Sequence, residues 1–340
     1  MKGVLLVNLG SPDTTETKDV KRYLDEFLMD ERVIDIAYWK RFLLIKGIIL
    51  KIRPKKSAAA YKKIWWKEGS PLVILSKRFS KKVSEKIAIP VALAMRYGSM
   101  SMEEGFRELT AQGVDKILLV PLYPHYAMSS YETVTVKAEQ IVAGHYPKVT
   151  MDILPPFFNK PEYIRTMSEN IKGHLEDYSY DHILFSYHGI PERHIRKSDP
   201  TNHHCKIDKN CCQRNSVAHY TCYRHQCFET TKGIANTLKL KEGTYSNSFQ
   251  SRLLKDPWLR PYTDFELEKL PKMGKKRVAV VTPAFVSDCL ETLEEIAMEG
   301  KEDFLEAGGT AYKHIPCMND NDNWVDVMAR WIDNWKKLGY

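Results

Sequence analysis

The sequence predicts an α/β protein with two domains, each built on a parallel sheet flanked by helices. Its 340 residues exceed the size at which a single hydrophobic core usually keeps growing. Short apolar runs typical of buried strands alternate with helix-like segments along the whole chain, which is the pattern of parallel α/β sheets. A weak internal echo, KILLVP at residues 116–121 and RVAVVTP at residues 277–283, also indicates two related halves.

Four strands are predicted in the first half, at residues 3–9, 91–97, 116–122 and 149–154. Amphipathic helices are predicted between them, including residues 19–29 and 102–112. Pro155 and Pro156 follow the fourth strand and indicate a turn at a domain boundary. We therefore expect an N-terminal domain over residues 1–155, which carries the lip segment described below.

The second half repeats the alternation, with strands predicted at residues 182–187, 244–249, 277–282 and 311–315. We expect a C-terminal domain over residues 156–320, with a cysteine-rich insert at residues 203–227. A C-terminal helix is expected over residues 321–340, because apolar side chains recur at helical spacing there and form one packing face.

Composition and charge are ordinary for a soluble globular protein, with 43% hydrophobic residues, 28% charged residues and a net charge of +8. The sequence has no apolar stretch of about 18 residues, and its first residues enter a strand rather than a signal-type apolar region. We therefore expect a cytoplasmic protein. The positive charge suits an anionic small molecule or an anionic membrane surface. No nucleic-acid-binding motif is visible, so nucleic acid is not an expected partner.

Residues 32–56 combine large apolar side chains with cations. The apolar residues are Ile34, Ile36, Trp39, Phe42, Leu43, Leu44, Ile48, Ile49 and Leu50, and the cations are Lys40, Arg41, Lys46, Lys51, Arg53, Lys55 and Lys56. One interpretation is a core helix with a basic outer face. The other is an interfacial segment whose exposed apolar residues and flanking cations lie on anionic lipid.

A histidine at the end of a predicted strand is the first candidate for chemistry. The apolar run ILF at residues 183–185 leads to His188, and Gly189 with Pro191 ends the strand abruptly. Open parallel sheets bind ligands at the carboxyl ends of their strands. A packing or solvated histidine is the structural alternative.

Three glutamates, Glu291, Glu295 and Glu299, lie four residues apart and would project from roughly one face of a helix. Carboxylate oxygens suit hard cations. The structural alternative is a helix N-terminus capped by Ser287 or Asp288, where the helix dipole favours acidic groups. If Glu291 faces His188 across a domain cleft, the pair could bind a divalent metal and move protons.

Seven motifs, in the family's order and spacing, resemble ferrochelatase over nearly the whole chain. They are NLGSPDT at residues 8–14, YKKIWWKEGSPL at 61–72, AMRYGSMSMEE at 94–104, LVPLYPHYAMSS at 119–130, SYHGIPERH at 186–194, DPWLRPYTD at 256–264 and FVSDCLETLEE at 285–295. The resemblance implies two Rossmann-like, chelatase-type domains with the active-site cleft between them. It also implies a lyase that inserts its substrate Fe²⁺ into protoporphyrin IX, forms haem b and releases two protons.

Carried over position by position, the resemblance implies that His188 and Glu291 are catalytic. It implies that these two residues bind the incoming Fe²⁺, which approaches along Glu295 and Glu299. The residues that match the family's porphyrin pocket are Arg96, Tyr97, Tyr123, Tyr126 and Trp258. Cys289 departs from the family's pattern, because many relatives have histidine there, and this puts a metal-relay role for that position in doubt.

The implied chemistry fits these residue types. Metal insertion needs the release of two N–H protons from a flat ring that shields its nitrogens. A pocket that bends the ring and offers imidazole and carboxylate lowers that barrier. His188 could accept protons, ligate iron or do both. Tyrosine and tryptophan can stack on the macrocycle, Arg96 can pair with a propionate, and residues 39–56 would form a membrane-facing lip.

Five of the seven cysteines lie between Cys205 and Cys227, spaced Cys-x5-Cys-Cys-x9-Cys-x4-Cys. In a cytosolic chain this argues for metal or redox chemistry rather than disulfides. Four thiolates can hold Zn²⁺ or an iron–sulfur cluster. Some bacterial ferrochelatases resemble this chain in an internal segment that binds a [2Fe–2S] cluster, which we expect here, with zinc or unligated thiols as alternatives. The expected ligands are Cys205, Cys212, Cys222 and Cys227, with Cys211 the alternative to Cys212, and His203, His204, His219 and His225 as substitutes.

Other functions are compatible with the same motifs. The substrate could be coproporphyrin III, with four carboxylates, although the apolar lip favours protoporphyrin. A non-catalytic tetrapyrrole- or metal-binding protein on this fold would not need His188 and Glu291 together. An iron–sulfur sensor would not need the complete set of pocket motifs. The expected small-molecule partners are therefore a porphyrin and Fe²⁺, with transient contact to an anionic membrane and no prediction of oligomeric state.

Overall fold

The computed structural model describes residues 1–208, 210–253 and 256–339. The chain forms two compact units. The first contains Met1–Tyr123, Met128–Pro155 and Asn319–Tyr340, and the second contains Pro124–Ala127 and Pro156–Met318. The C-terminal residues thus group with the first unit rather than standing apart from both.

The first unit is built on a four-stranded parallel sheet. Its strands are β1 (Lys2–Gly10), β2 (Val91–Tyr97), β3 (Lys116–Pro121) and β4 (Thr150–Ile153). Their order across the sheet is β2-β1-β3-β4, and every neighbouring pair is parallel. Apolar residues of β1 and β3 are fully buried, because helices cover both faces of a parallel sheet of this kind.

Helices connect these strands, as parallel pairing requires. They are α1 (Thr17–Met29), α2 (Tyr38–Leu44), α3 (Leu50–Ile64), α4 (Pro71–Lys86), α5 (Met102–Ala111) and α6 (Thr133–His145). A π-helical segment, Ile45–Ile49, joins α2 to α3, and a second, Met128–Glu132, precedes α6. Helix α5 begins with a complete capping box between Ser101 and Glu104.

The second unit repeats this topology. Its strands are β5 (His182–His188), β6 (Tyr245–Gln250), β7 (Arg277–Val281) and β8 (Ala311–Ile315). Their order is β6-β5-β7-β8, again entirely parallel. In both sheets the first strand in the chain lies between the second and the third. The predicted fold class, two parallel α/β sheets flanked by helices, is confirmed.

The helices of the second unit are α7 (Pro161–Leu175), α8 (Glu192–Lys197), α9 (Tyr223–Leu238), α10 (Thr263–Lys272) and α11 (Gly300–Glu306). A nine-residue π-helix, Glu291–Glu299, runs directly into α11. Its Ile296 packs with Leu184, Val280 and Phe304 in the core of the unit, so the π-helix is attached to the sheet through its apolar face.

The last helix, α12 (Asp322–Leu338), packs within the first unit. Trp324, Val325, Met328 and Trp335 are buried. The ring of Trp324 stacks on Phe79 of α4 with a centroid distance of 6.0 Å. The predicted apolar face of this helix is therefore a packing surface.

The segment around α2 combines both predicted features, a buried side and an exposed apolar side. Its buried residues include Ile34, Ile45, Ile49 and Leu50. The large apolar side chains on its exposed side are Tyr38, Trp39, Phe42, Leu43, Ile48 and Ile52. Arg41 was counted from the sequence among the surface cations, but this was wrong. Its side chain is buried and donates to the carbonyls of Ile34 and Ile36 at 3.1 and 3.0 Å.

Within the described residues, no helix is long and apolar enough to cross a bilayer.

Candidate active site

The His188 turn is built by a close approach of two neighbouring strand ends. Strand β5 pairs with β6 so that His188 lies opposite Gln250, and the Gly189 amide donates to the Gln250 carbonyl at 2.6 Å. A Cβ at Gly189 would lie 2.7 Å from the Ser251 carbonyl oxygen and 2.9 Å from that of Gln250. Only glycine fits here, which explains why it follows the histidine.

The His188 ring is oriented by its own turn. Its Nδ1 lies 2.6 Å from the Gly189 carbonyl oxygen. Because a carbonyl only accepts, Nδ1 carries the proton in this contact, and a neutral ring then has its lone pair on Nε2. The Tyr223 hydroxyl donates to the His188 carbonyl at 2.9 Å, and Phe285 contacts the ring with a centroid distance of 6.4 Å. The lone pair on Nε2 can accept a proton or bind a metal.

Trp258 packs against the same turn. The Cβ position at Gly189 is 3.4 Å from Trp258 Cε3, and Trp258 forms a β-bridge with Pro191. Its indole Nε1 donates to the Leu253 carbonyl at 2.8 Å. Trp258 therefore supports the His188 turn directly, and its side chain remains half-buried.

The three glutamates lie on the π-helix that follows β7. A π-helix closes i to i+5 hydrogen bonds and often occurs at functional sites. Because a π-helical turn is wider than an α-helical turn, residues that are four positions apart, such as these glutamates, lie near the same face of the helix. The predicted cap at Ser287 or Asp288 was wrong, because the residue before the helix is Leu290. The Asp288 carboxylate instead accepts from the Thr292 hydroxyl at 2.8 Å and the Cys317 amide at 3.3 Å.

His188 and Glu291 belong to the same unit, whereas one interpretation of the sequence considered them facing each other across a domain cleft. Gln250 connects them. Its carbonyl accepts from the turn at Gly189, and its side-chain amide donates to the Glu291 carbonyl at 3.0 Å. Gln250 was not predicted from the sequence, although its position at the end of the strand beside His188 could have indicated it.

Glu295 is the glutamate whose protonation the site changes most. Its side chain is half-buried and accepts a hydrogen bond from the Ser251 hydroxyl. Burial, followed by the negative charge of Glu291, raises the pKa of Glu295 to about 7. Glu299 is exposed, whereas Glu294, which sequence analysis did not select, is buried. The acidic row formed by Glu291, Glu295 and Glu299 therefore changes from half-buried to exposed along the helix.

Cys289 is buried two residues before Glu291. Burial raises the pKa of its thiol well above the usual value, and the charge of Glu291, together with a hydrogen bond to that carboxylate, raises it further. A protonated thiol donates weakly and has no charge with which to relay a metal. Cys289 can therefore hold the Glu291 carboxylate.

Arg96 and Tyr97 form a hydrogen-bonded cluster with Asp30 and Thr133 in the first unit. Arg96 contacts Asp30 at 2.5 Å and donates through Nε to the Thr133 hydroxyl at 2.8 Å. The Tyr97 hydroxyl donates to Asp30 at 2.9 Å, and Tyr97 is 1% exposed. Burial alone would raise the pKa of Asp30, but hydrogen bonds from Thr133 and Arg32 and the Arg96 charge lower it overall. This cluster holds Arg96 and Tyr97 firmly from within the unit.

The two remaining candidates for porphyrin binding lie on either side of a unit boundary in the chain. Tyr123 belongs to the first unit and packs on its hydrophobic core. Tyr126 belongs to the second, where its amide donates to the Gln226 side chain at 2.7 Å. Tyr126 is half-buried.

Two aspartates shape the cysteine-rich insert. The Asp199 carboxylate accepts from the amides of His204 and Cys205 at 2.9 and 2.8 Å. Burial would raise its pKa, but these bonds, with Cys205 first, lower it to about 2. Asp208 accepts from the Cys211 amide at 2.6 Å. The loop is thus ordered by carboxylates that hold the main chain beside two of its cysteines.

The five thiols of the insert are neighbours, and all but the half-buried Cys212 are buried. A hydrogen bond with Cys222 raises the pKa of Cys212, and one with Cys205 raises the pKa of Cys222 to about 12. Burial, then the charges of Cys222 and Cys212, raise the pKa of Cys227. In the described part of the insert and elsewhere along the described chain, no three or more His, Cys, Asp or Glu side chains are already arranged to hold a metal ion.

Solved structures resemble this chain over nearly its whole length. SirB from Bacillus subtilis with Fe³⁺ aligns over 98% of this chain and 94% of its own length, with a TM-score of 0.54 and 14% identity. The sirohydrochlorin chelatase SirB from Bacillus subtilis subspecies spizizenii, in complex with cobalt, aligns with the same TM-score and coverage at 11% identity. At such low identity these likenesses establish the fold alone, which is the two-domain chelatase type.

The sequence comparisons are more specific. The family model described as Ferrochelatase matches residues 1–335. The ferrochelatase of Opitutus terrae is 48% identical, covering 100% of this chain and 99% of the relative. That of Stutzerimonas stutzeri is 46% identical over 97% of this chain and 96% of the relative. The chain belongs to the ferrochelatase family, whose members are lyases that act as metal chelatases.

Proposed function

We propose that this protein inserts Fe²⁺ into protoporphyrin IX to form haem b, with His188 and Glu291 as its catalytic residues. The observation that carries this proposal is the link through Gln250, which connects the turn bearing the His188 imidazole to the π-helix bearing the Glu291 carboxylate. An imidazole and a carboxylate held in this way supply the proton acceptors and the oxygen and nitrogen ligands that the reaction needs.

The porphyrin must lose two N–H protons while the metal enters. The lone pair on His188 Nε2 can accept one of them, because its Nδ1 proton is committed to the Gly189 carbonyl. Glu291 can bind the incoming Fe²⁺ or take a proton, with Cys289 holding its carboxylate. Glu295, with a pKa of about 7, exchanges protons readily near neutral pH. Protons can then leave along the row toward the exposed Glu299.

The five candidates for porphyrin binding have different roles in this proposal. Trp258 and Tyr126 are half-buried, so they can contact the macrocycle through their rings. Tyr97 is buried and bonded to Asp30, so we assign it a supporting role. Arg96 bonds Asp30 and Thr133 within its own unit. A guanidinium has five N–H donors, so the other donors of Arg96 can bind a propionate. Tyr123 packs on the hydrophobic core of the first unit, so we assign it a supporting role.

Protoporphyrin IX is proposed over coproporphyrin III because of the exposed apolar residues of the lip. Trp39, Leu43 and Ile52 are 61%, 60% and 72% exposed, and such a surface suits an apolar substrate with two carboxylates better than one with four. It also suits transient contact with an anionic membrane. We accordingly propose a cytoplasmic enzyme that is peripheral at the inner face of the membrane.

The deciding experiment is an anaerobic insertion assay that follows loss of porphyrin fluorescence with Fe²⁺, with protoporphyrin IX and coproporphyrin III tested in parallel. Faster turnover of protoporphyrin is expected. A preference for coproporphyrin would keep the reaction and change the substrate. Porphyrin binding without turnover of either would favour the non-catalytic binding protein.

We also propose that the cysteine-rich insert binds a [2Fe–2S] cluster through Cys205, Cys212, Cys222 and Cys227. The donor set supports this, because thiolates are the usual ligands of such clusters and these four interact with one another. The hydrogen bond between Cys212 and Cys222 favours Cys212 over Cys211 as a ligand. When bound, a cluster would supply one-electron redox chemistry or added stability to the insert. Zinc would be the alternative occupant of the same thiols.

A further inference from the structure

One buried residue contacts both chemical elements of the candidate site, one through its main chain and the other through its side chain. Gln250 ends β6 and is 3% exposed. Its carbonyl oxygen accepts the Gly189 amide proton at 2.6 Å, and its Nε2 donates to the Glu291 carbonyl at 3.0 Å. We propose that Gln250 is a positioning residue that sets the separation of the His188 imidazole and the Glu291 carboxylate for metal insertion. This inference rests on the proposed function.

The orientation of the Gln250 amide is determined at its other end. Its Oε1 accepts from the Ser186 hydroxyl at 3.0 Å, so Nε2 is the atom that faces Glu291. Ser186 lies on β5, two residues before His188, and is fully buried. The Gln250 side chain therefore runs from the His188 strand to the Glu291 helix, with a hydrogen bond at each end.

Gln250 can influence the position of the whole first turn of the π-helix, because it bonds the main chain there. Gln250 bonds the main-chain carbonyl of the first π-helical residue, not its side chain. A side chain that bonds into a helical hydrogen-bond ladder sets the local helix geometry. Because Glu291 and Glu295 lie on that helix, a shift of its first turn would move both carboxylates relative to His188.

The test compares Gln250→Met with Ser248→Ala in anaerobic steady-state insertion, with Fe²⁺ and porphyrin varied separately. Ser248 is the matched control for indirect effects, because it is buried on the same strand and its hydroxyl is connected to Gln250 only through Thr263 and Ser186. We expect Gln250→Met to raise the KM for Fe²⁺ about 10- to 100-fold, as loss of a residue that orients a metal ligand does, with the porphyrin KM unchanged. A KM does not depend on how much of the sample is folded.

A second variant separates the two ends of the side chain. Gln250→Glu keeps an oxygen for the Ser186 hydroxyl, but its carboxylate cannot donate to the Glu291 carbonyl. It should therefore raise the KM for Fe²⁺ as Gln250→Met does. An unchanged metal KM in either variant, or an equal rise in Ser248→Ala, would overturn the inference. A wild-type protein that inserts no iron would instead contradict the proposed function, so the two failures are distinguishable.

Discussion

The Ser251 hydroxyl donates a hydrogen bond to the Glu295 carboxylate. Ser251 follows Gln250 directly and has a φ of +59°, in the left-handed region that non-glycine residues rarely adopt. The backbone after β6 therefore turns sharply and brings a donor to the second glutamate of the π-helix. Two consecutive residues, Gln250 and Ser251, thus hold two successive turns of the acidic row.

Glu295 should make the stability of the protein depend on pH. Its pKa is raised in the folded state, so its favourable contribution is complete below the ordinary value of 4.5 and is lost as the pH rises through about 7. That rise corresponds to roughly 3 kcal/mol. We expect Glu295→Gln to be more stable than the wild type by up to that amount at about pH 8, and equally stable near pH 4.5. Urea unfolding with a chelator present measures this.

Glu302→Gln is the control for this comparison. Glu302 is exposed on α11, just beyond the π-helix. Its replacement should change the free energy of unfolding by no more than about 0.5 kcal/mol at either pH. A pH profile of Glu295→Gln that parallels that of the wild type would show that Glu295 titrates normally.

Replacement of His188 should remove catalysis and leave the fold intact. We expect His188→Ala to lower kcat by about 10²- to 10⁴-fold, the usual contribution of a positioned acid–base group, with an unchanged circular dichroism spectrum. His145→Ala, at an exposed position near the end of α6, should keep full activity. Near-normal turnover of His188→Ala would exclude this histidine from the reaction.

Gly189 should tolerate no side chain. The Cβ of Gly189→Ala would lie 2.7 and 2.9 Å from two main-chain oxygens, which cannot move without disturbing β6. Overpacking of this kind destabilises by about 1–3 kcal/mol. Gly173→Ala on α7 is the matched control, because no atom lies within 4 Å of its added Cβ. The control should gain about 0.5–1 kcal/mol, and an equal effect of both changes in thermal unfolding would contradict the role of Gly189.

Replacement of single cysteines should distinguish those that bind the proposed iron–sulfur cluster from those that do not. We expect Cys222→Ser and Cys212→Ser to lose visible absorbance and bound iron, and to unfold more easily, because each removes a cluster ligand. Cys211→Ser should keep both signals. Bleaching by Cys211→Ser with retention in Cys212→Ser would reverse the ligand assignment. An unchanged spectrum in Cys222→Ser would contradict the cluster.

The exposed apolar lip should mediate membrane contact. We expect the triple replacement of Trp39, Phe42 and Leu43 by serine to abolish flotation with anionic vesicles, because burial of these side chains drives interfacial binding. Wild-type binding should weaken at high salt, since cations contribute. Met273→Ser, at an exposed apolar residue of the second unit, should bind as the wild type does. Equal flotation of the triple variant would contradict the lip assignment.

The sequence by itself determined the strands, the fold class and the position of His188 at a strand end. These features depend on local periodicity, on apolar runs and on a glycine that ends a strand, all of which can be read along the chain. The spacing of Glu291, Glu295 and Glu299 likewise placed three carboxylates on one helix face. The roles of these residues are predictions that come from the family resemblance.

Only the tertiary structure shows which residues position His188, Glu291 and Glu295. The contacts of Gln250 with Gly189 and Glu291, and of Ser251 with Glu295, join residues that are distant in the chain. Such contacts arise from the order in which parallel strands assemble, which no local pattern encodes. The burial of single side chains also depends on tertiary structure. Arg41 is buried although the sequence predicted it on the basic surface, and burial raises the pKa of Glu295.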